Sequence, residues 1–368
     1  MIHTVGRQAA HYGFRFLNSS NKLNTTAQKA THISPPIKPA ATLTGALSKL
    51  IIFASPQERG LYFMSFNQKN MCMKRYQITI IVLAIFVSAC NKGKQETEET
   101  AETSVTEEKA APVTLKLKWE TDTLLTTCES VLHDEDQDVL YVSNINGAPD
   151  AKDKNGFISK VSMEGQVTEQ FWVKGIDAPK GMGLHDGKLY VSDIDRVHEI
   201  DTKTGKITKS YTVTGAKFLN DIAVDKEKVY ISDSRGGTVY LLENGKVSPW
   251  MENLHNPNGL FTENGNLVMA LWDDKTLNTV DVSLKEVTKR TDGIENPDGI
   301  EAIGDNNYLV SSWNGIIHHI DADWKATVVL DTRGDTVSSA DIEYVKSKNL
   351  LLVPTFLKNK VVAYEVVK

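Results

Sequence analysis

The sequence predicts an all-β fold, a six-bladed β-propeller, on three observations. Short runs of alternating, β-branched or aromatic residues fill the chain after residue 113, and no long amphipathic helix interrupts them. A short loop phrase precedes six of these runs, and the phrases recur at a period near 40 residues. The segment "VTLKLKW" (113–119) has no partner of its own while the last unit is short, so joining the two closes a ring without leaving an open edge.

The runs are "VLYVSNI", "KLYVSDI", "KVYISDS", "NLVMALW", "NYLVSSW" and "NLLLVPTF", and the phrases before them are "CESVLHD", "APKGMGL", "FLNDIAV", "NPNGLFT", "NPDGIEA" and "SADIEYV". Aligned on the strand that follows, the marked residues are Glu129, Lys180, Asn220, Asn258, Asp298 and Asp341, in steps of 51, 40, 38, 40 and 43. Several short strands per unit of this length describe a propeller blade. Turn sequences "MEGQ", "KTGK" and "ENGK" fall late in units and join outer strands. The extra length of the first unit is taken up by "NGAPDAKDKNG", an elaborated loop. The sixth unit supplies only "DIEYV", "LLLVPTF" and "VVAYEVV". A stack of β-sandwich domains is the alternative architecture; the regular period and the unpaired first strand count against it.

The chain ahead of the propeller reads differently. Residues 1–72 show neither period 2 nor period 3.6. "MKRYQITIIVLAIFVSAC" (73–90) has a basic start, an apolar run and small residues before Cys90, the order of a secretory signal, and it is too short for a comfortable membrane span. Small residues before a cysteine resemble the lipobox of bacterial lipoproteins, which implies lipidation of Cys90. The expectation is that translation starts at Met71 or Met73, so that 1–72 is not part of the mature protein. Residues 91–112, rich in Glu, Thr and Lys and without aromatics, are expected to form a disordered tether. The product is then exported and lipid-anchored, facing the periplasm or the cell surface. Of Cys72, Cys90 and Cys128 only the last stays free, so no intrachain disulfide is expected. The net charge of −6 and the lack of a basic stripe argue against a nucleic-acid partner.

In a propeller the innermost strand of each blade lines the channel, so equivalent residues at its start converge on the axis. "NPNGL" and "NPDGI" differ at their centres by Asn258 against Asp298. A plain turn accepts either residue, whereas a site collecting oxygen ligands distinguishes them. Glu129, Asn220, Asn258, Asp298 and Asp341 offer oxygen only, which suits one hard divalent cation, Ca²⁺ first, and there is no His/Cys cluster at zinc spacing. Each phrase alone would read as a structural turn; their alignment over several units argues for a shared site.

These phrases resemble the senescence marker protein / gluconolactonase / luciferin-regenerating enzyme family of six-bladed propellers, over roughly 115–368. That family surrounds its catalytic metal with a Glu in an "EGPVWD"-like opening, an Asn in "FND", an Asn in "SNGL" and an Asp in "PDG". Here "ESVLHD" offers Glu129, "FLND" Asn220, "PNGL" Asn258 and "PDGI" Asp298, in the same order. The resemblance therefore implies a metal held by Glu129, Asn220, Asn258 and Asp298. The Gly-Pro of the first opening is missing, and Phe218 and Leu219, with Lys217 upstream, stand where the family has a substrate-binding Arg before "FND". The implied substrate is a lactone or related ester other than the family's sugar lactone. Asn220, Lys180 and Lys217 are the candidate substrate-binding residues. Asp298 is the family's candidate base, but a carboxylate on a cation is a weak one, and Asp221 or Asp341 could serve instead.

Other motifs carry less. "GMGLHDGKL" fails the spacing of a phosphate loop, "KDKNG" lacks the acidic residues of a calcium loop, and His318 and His319 point to opposite faces of a strand. Trp172, Trp250, Trp272 and Trp313 read as packing between blades. Two functional classes remain open: a monomeric, lipid-anchored, metal-dependent hydrolase, or a non-catalytic propeller that binds a ligand or partner at the same mouth. Lys180 separates them, as a structural ion pair with Asp341 or as a free cation that orients an anionic substrate.

Overall fold

The computed structural model describes residues 112–368; residues 1–72, the signal segment with Cys90 and the tether through residue 111 lie outside the described residues. The described chain forms six four-stranded antiparallel sheets. In blades one to five the strand order follows the sequence outward from the axis. The innermost strands are Cys128–Asp134, Pro179–His185, Leu219–Asp225, Pro257–Glu263 and Pro297–Gly304. Blade six runs inward to outward as Glu343–Val345, Leu350–Pro354, Val361–Val367 and then Thr114–Glu120. The expected closure is present: Thr114 lies opposite Val367 and Glu120 opposite Val362, with a bulge between Leu117 and Trp119.

Burial falls away from the axis, and the sequence patterns follow it. The second strands, such as Val139–Asn144 and Leu350–Pro354, are buried on both faces and read as near-continuous apolar runs. Outer strands such as Lys206–Thr212 and Val287–Asp292 are almost wholly exposed and read as Lys, Thr and Ser. The core lies between blades. At the seam where the ring closes, Leu125, Cys128, Val131 and Leu140 of blade one pack on Leu352, Val361 and Ala363 of blade six. Cys128 donates its thiol to the Lys360 carbonyl at 3.1 Å, and burial pushes that thiol up to about 12, which makes it structural. Trp172 stacks on Tyr141 at 4.7 Å within blade one and Trp250 meets Tyr230 edge-on at 5.0 Å within blade three, and each pair joins a cluster shared with the next blade, as packing between blades predicts.

The six phrases are not loops. In blades one to five each is the bulged start of the innermost strand, with register shifts at Cys128/Val131, Pro179/Met182, Leu219/Ile222, Pro257/Leu260 and Pro297/Ile300. A bulge inserts an unpaired residue and re-aims its side chain. The glycines in three of these phrases serve close approach: a Cβ on Gly299 would lie 2.5 Å from the Ile342 nitrogen, and one on Gly259 would overlap the Asp298 carbonyl. The left-handed residues are instead Asn256 and Asn296, three positions before these glycines, at φ 58° and 49°.

Candidate functional site

The bulges place two residues per blade at the axis. The first positions are Glu129, Lys180, Asn220, Asn258 and Asp298; the second are Ser130, Gly181, Asp221, Gly259 and Gly299. Serines of the second strands staple these bulges. Ser143, Ser232 and Ser311 accept the backbone N–H of Ser130, Asp221 and Gly299 at 3.0, 2.8 and 2.8 Å. Ser192 and Ser311 also donate to the next blade, to the carbonyls of Asn220 and Ala340. Ala340 therefore occupies in blade six the place that Asn220 occupies in blade three. Asp341 is one residue further on, equivalent to Asp221, and the sequence alignment that put it with Glu129 and Asp298 is out by one. "SADIEYV" has no Pro or Gly to anchor the register, and the acid itself was the only marker.

Five side chains thus form the upper ring, all 1–8% exposed. Asn220 donates to Asn258 Oδ1 at 2.5 Å and to Ser234 at 3.2 Å, and Asn258 donates to Asp298 Oδ1 at 3.1 Å. Glu129 closes the circle from blade one, and its Oε2 is buried with no hydrogen-bond partner. Burial, then Asp298 and Asp341, push the Glu129 carboxyl well above its usual range; burial and Asp341 do the same to Asp298. An orphaned carboxylate oxygen among mutually repelling acids is the donor set a divalent cation fits. The ring has two carboxylates and two amides for it, and among the described residues no group of three or more His, Cys, Asp or Glu converges for a metal.

Below the ring the channel widens into a cavity of about 500 Å³ that reaches Glu135 and Asp136 and is lined by Asp221, Glu301, Asp341 and Glu343. Asp221 is committed to structure: it accepts the N–H of Ile222 at 2.6 Å and of Leu260, in the next blade, at 2.7 Å. Asp341 accepts the Ser130 hydroxyl at 2.7 Å, and burial raises its carboxyl to about 6.

Lys180 is not paired with Asp341. Its ammonium donates to the Ala178 carbonyl at 2.9 Å and sits 4.4 Å from the centre of the Phe218 ring. Burial lowers it to about 8, against the opposing pull of Glu129. The Arg235 guanidinium lies 4.2 Å from the same ring and pairs with Asp150 at 3.0 Å. Asp150 belongs to the elaborated loop of blade one, which is also tied to blade two by Lys152 and Asp195 at 2.5 Å. The loop is a strap spanning three blades at this mouth. Lys217 is exposed, and its backbone N–H, not its ammonium, is engaged, by Asp233 at 3.0 Å.

Trp313 packs between blades five and six as expected, whereas Trp272 has no aromatic partner among the described residues. Both are half-buried at the mouth and donate their backbone N–H to the carbonyls of Asn256 and Asn296 at 3.0 Å. Trp313 meets Phe356 of blade six edge-on at 5.6 Å. Phe218, Arg235 and the placing of Trp272 and Trp313 at the mouth are what sequence reasoning missed; the position directly after each second strand carried the signal, as the final residue of "NLVMALW" and "NYLVSSW".

Three solved structures share the fold. A streptogramin B lyase aligns at 12% identity and TM-score 0.51, over 70% of this chain and 98% of that one. A protein described as a candidate gluconolactonase aligns at 15% and 0.53, over 70% and 93%. Virginiamycin B lyase from Staphylococcus aureus aligns at 12% and 0.50, over 70% and 100%. No family model and no curated protein matches the sequence. At these identities the likeness establishes the six-bladed fold and nothing finer.

Proposed function

We propose that the protein is an exported, lipid-anchored, divalent-metal-dependent hydrolase of a lactone or related ester. The observation that carries the reading is the unpartnered, buried Oε2 of Glu129, held in one ring with Asp298, Asn258 and Asn220. Glu129 and Asp298 would balance a divalent ion, and the two amides would complete an all-oxygen set that favours Ca²⁺. Such an ion supplies polarisation of a substrate carbonyl and offsets charge developing on its oxygen. Asp341, raised to about 6, is the carboxylate best matched to accepting a proton near neutral pH, and Ser130 fixes its orientation. Lys180 and Arg235, on the Phe218 ring, would hold an anionic group of the substrate beside the ring. The names of the neighbours, a candidate gluconolactonase and two lyases, are those of enzymes, which supports an enzymatic reading. The anchor rests on "VSAC" at 87–90 and on nothing in the fold.

A non-catalytic, ligand-binding propeller is the second reading, and burial favours it, because no ring residue is more than 8% exposed. Ca²⁺ titration by calorimetry combined with a hydrolysis screen over lactones and aryl esters, each with and without chelator, separates the two. Tight binding with chelator-sensitive turnover supports the hydrolase. Tight binding without turnover of any ester leaves the binding module, and no Ca²⁺ binding removes the metal from both.

A further inference from the structure

Blades two and three share a device that blade five leaves incomplete. In blade two the last residue of the second strand, Asp193, accepts the backbone N–H of Asp177 at 3.1 Å, of Ala178 at 2.8 Å and His198 Nε2 at 3.1 Å. In blade three Asp233 accepts the N–H of Lys217 at 3.0 Å, of Phe218 at 2.8 Å and of Gly236 at 2.9 Å. Each carboxylate ties the segment leading into a bulge to the strand beside it. The register fixes the equivalent in blade five: Asp193 lies opposite Pro179, Asp233 opposite Leu219, and Ser312 opposite Pro297. The backbone groups equivalent to the donors are those of Glu295 and Asn296.

Blade five keeps the histidine and lacks the acid. His318 stands where His198 stands, two residues past the partner of the strand's last residue. Its Nε2 and the hydroxyl of Ser312 are both buried with no hydrogen-bond partner, in residues only 8% and 0% exposed. The other nitrogen of His198 is held by Ser210 at 2.8 Å, whereas Val328 lies opposite His318. Buried polar atoms without partners are rare in folded proteins and point to something that occupies the space between them. In two other blades that something carries a negative charge. The Ser312 hydroxyl can donate, and so can His318 Nε2 in the tautomer that carries its proton there, while Arg333, which acts on His318, is itself paired with Asp331 at 2.6 Å. The amide of Asn314, two residues past Ser312, also has a buried, unpartnered oxygen; turned over, it offers N–H in its place.

We propose that blade five binds a small monovalent anion, a halide, between Ser312 and His318, where blades two and three hold an aspartate carboxylate. The bound ion secures the segment running into Pro297 and Asp298, so it sets the position of one residue of the upper ring from behind. The inference does not depend on any enzymatic activity.

The test is thermal unfolding of the purified protein in sodium bromide and in sodium methanesulfonate at equal ionic strength, the second anion being too bulky for the site. The melting temperature of the wild type should rise with bromide concentration, as ligand binding to the native state requires. Ser312→Asp should raise it by about 2–4 °C in methanesulfonate and abolish the bromide dependence. Equal wild-type melting in the two salts overturns the proposal, and so does full bromide dependence in Ser312→Asp. If that variant fails to fold, the anomalous signal of wild-type crystals soaked in bromide decides. A peak between His318 and Ser312 supports the site, and its absence rejects it.

Discussion

Asn258 donates its side-chain amide to Asp298 at 3.1 Å, so the two residues by which the repeated phrases "NPNGL" and "NPDGI" differ at their centres touch one another. The difference is complementary. Two amides would leave one without a charged acceptor, and two carboxylates would repel in a buried place. Alternation of amide and acid lets neighbouring blades hydrogen-bond while leaving one charge for a cation.

Asp298→Asn keeps an acceptor for Asn258 and removes one of the buried charges that raise Glu129. Ca²⁺ affinity should fall at least ~10-fold, a loss of about 1.4 kcal/mol. The metal-free protein should melt no lower than wild type, since repulsion is relieved. Calorimetric titration with matched melts in chelator checks both, and unchanged affinity would remove Asp298 from the metal site.

Lys180→Met leaves a side chain able to lie on Phe218 but takes away the cation. For substrates bearing a carboxylate KM should rise by about tenfold or more, the scale of one charge-assisted hydrogen bond, and neutral esters should be affected little. In the wild type the ammonium is lowered to about 8, so the preference for anionic substrates should fade as the pH passes that value. Steady-state kinetics on a matched pair of esters from pH 6 to 9 reads both effects; equal losses for the two substrates would make Lys180 structural.

Glu343 lines the lower cavity, and burial raises its carboxyl from 4.5 to about 8; Glu301 beside it is raised by burial and by Glu343. Both hold protons in the folded state that the unfolded state releases. Stability is therefore full below pH 4.5 as far as these groups are concerned and is lost as the pH rises toward 8. Metal-free protein should melt several degrees lower at pH 8 than at pH 5, taking about 2–4 °C per kcal/mol. Glu343→Gln should flatten that slope. A variant with the wild-type slope would place the titration elsewhere.

Deleting residues 113–120 removes the outer strand of blade six, takes Val113 and Leu115 from the core and exposes the edge of Val361–Val367. Burying each such side chain is worth about 1.5–3 kcal/mol, so the truncated protein should melt well over 5 °C below the intact one. Scanning calorimetry checks this, and an unchanged melting temperature would show that the strand does not secure the ring.

Much of this was legible in the residues because propeller geometry turns sequence period into spatial convergence. The period near 40 gave the blades, and the unpaired "VTLKLKW" gave the closure. Lys180, Asn258 and Asp298 were found because each stands between a Pro and a Gly that fix register, and Glu129 and Asn220 by their spacing from the strand that follows and by the family resemblance of their phrases. Asp341 was misplaced by one because "SADIEYV" offers no such residue, and a one-residue slip moves a side chain from the ring to the wall beneath it. The sites of Phe218, Arg235 and Asp150 were not legible, since two separate blades, one and three, bring them together and no local pattern encodes the encounter. The unpartnered pair in blade five was hidden for the opposite reason: Ser312 and His318 look ordinary until set beside Asp193 and His198.

Because Thr114 faces Val367 across one ladder, the two ends of the propeller emerge side by side at the rim. Topologically the domain is a circle, and the point at which the chain enters it is arbitrary. A short Gly-Ser linker from Lys368 to Pro112 should let new termini be cut into an exposed outer turn such as Ser283–Glu286 with the fold intact. The same adjacency makes the seam mechanically soft, since tension applied at the two ends peels this ladder one hydrogen bond at a time instead of shearing it.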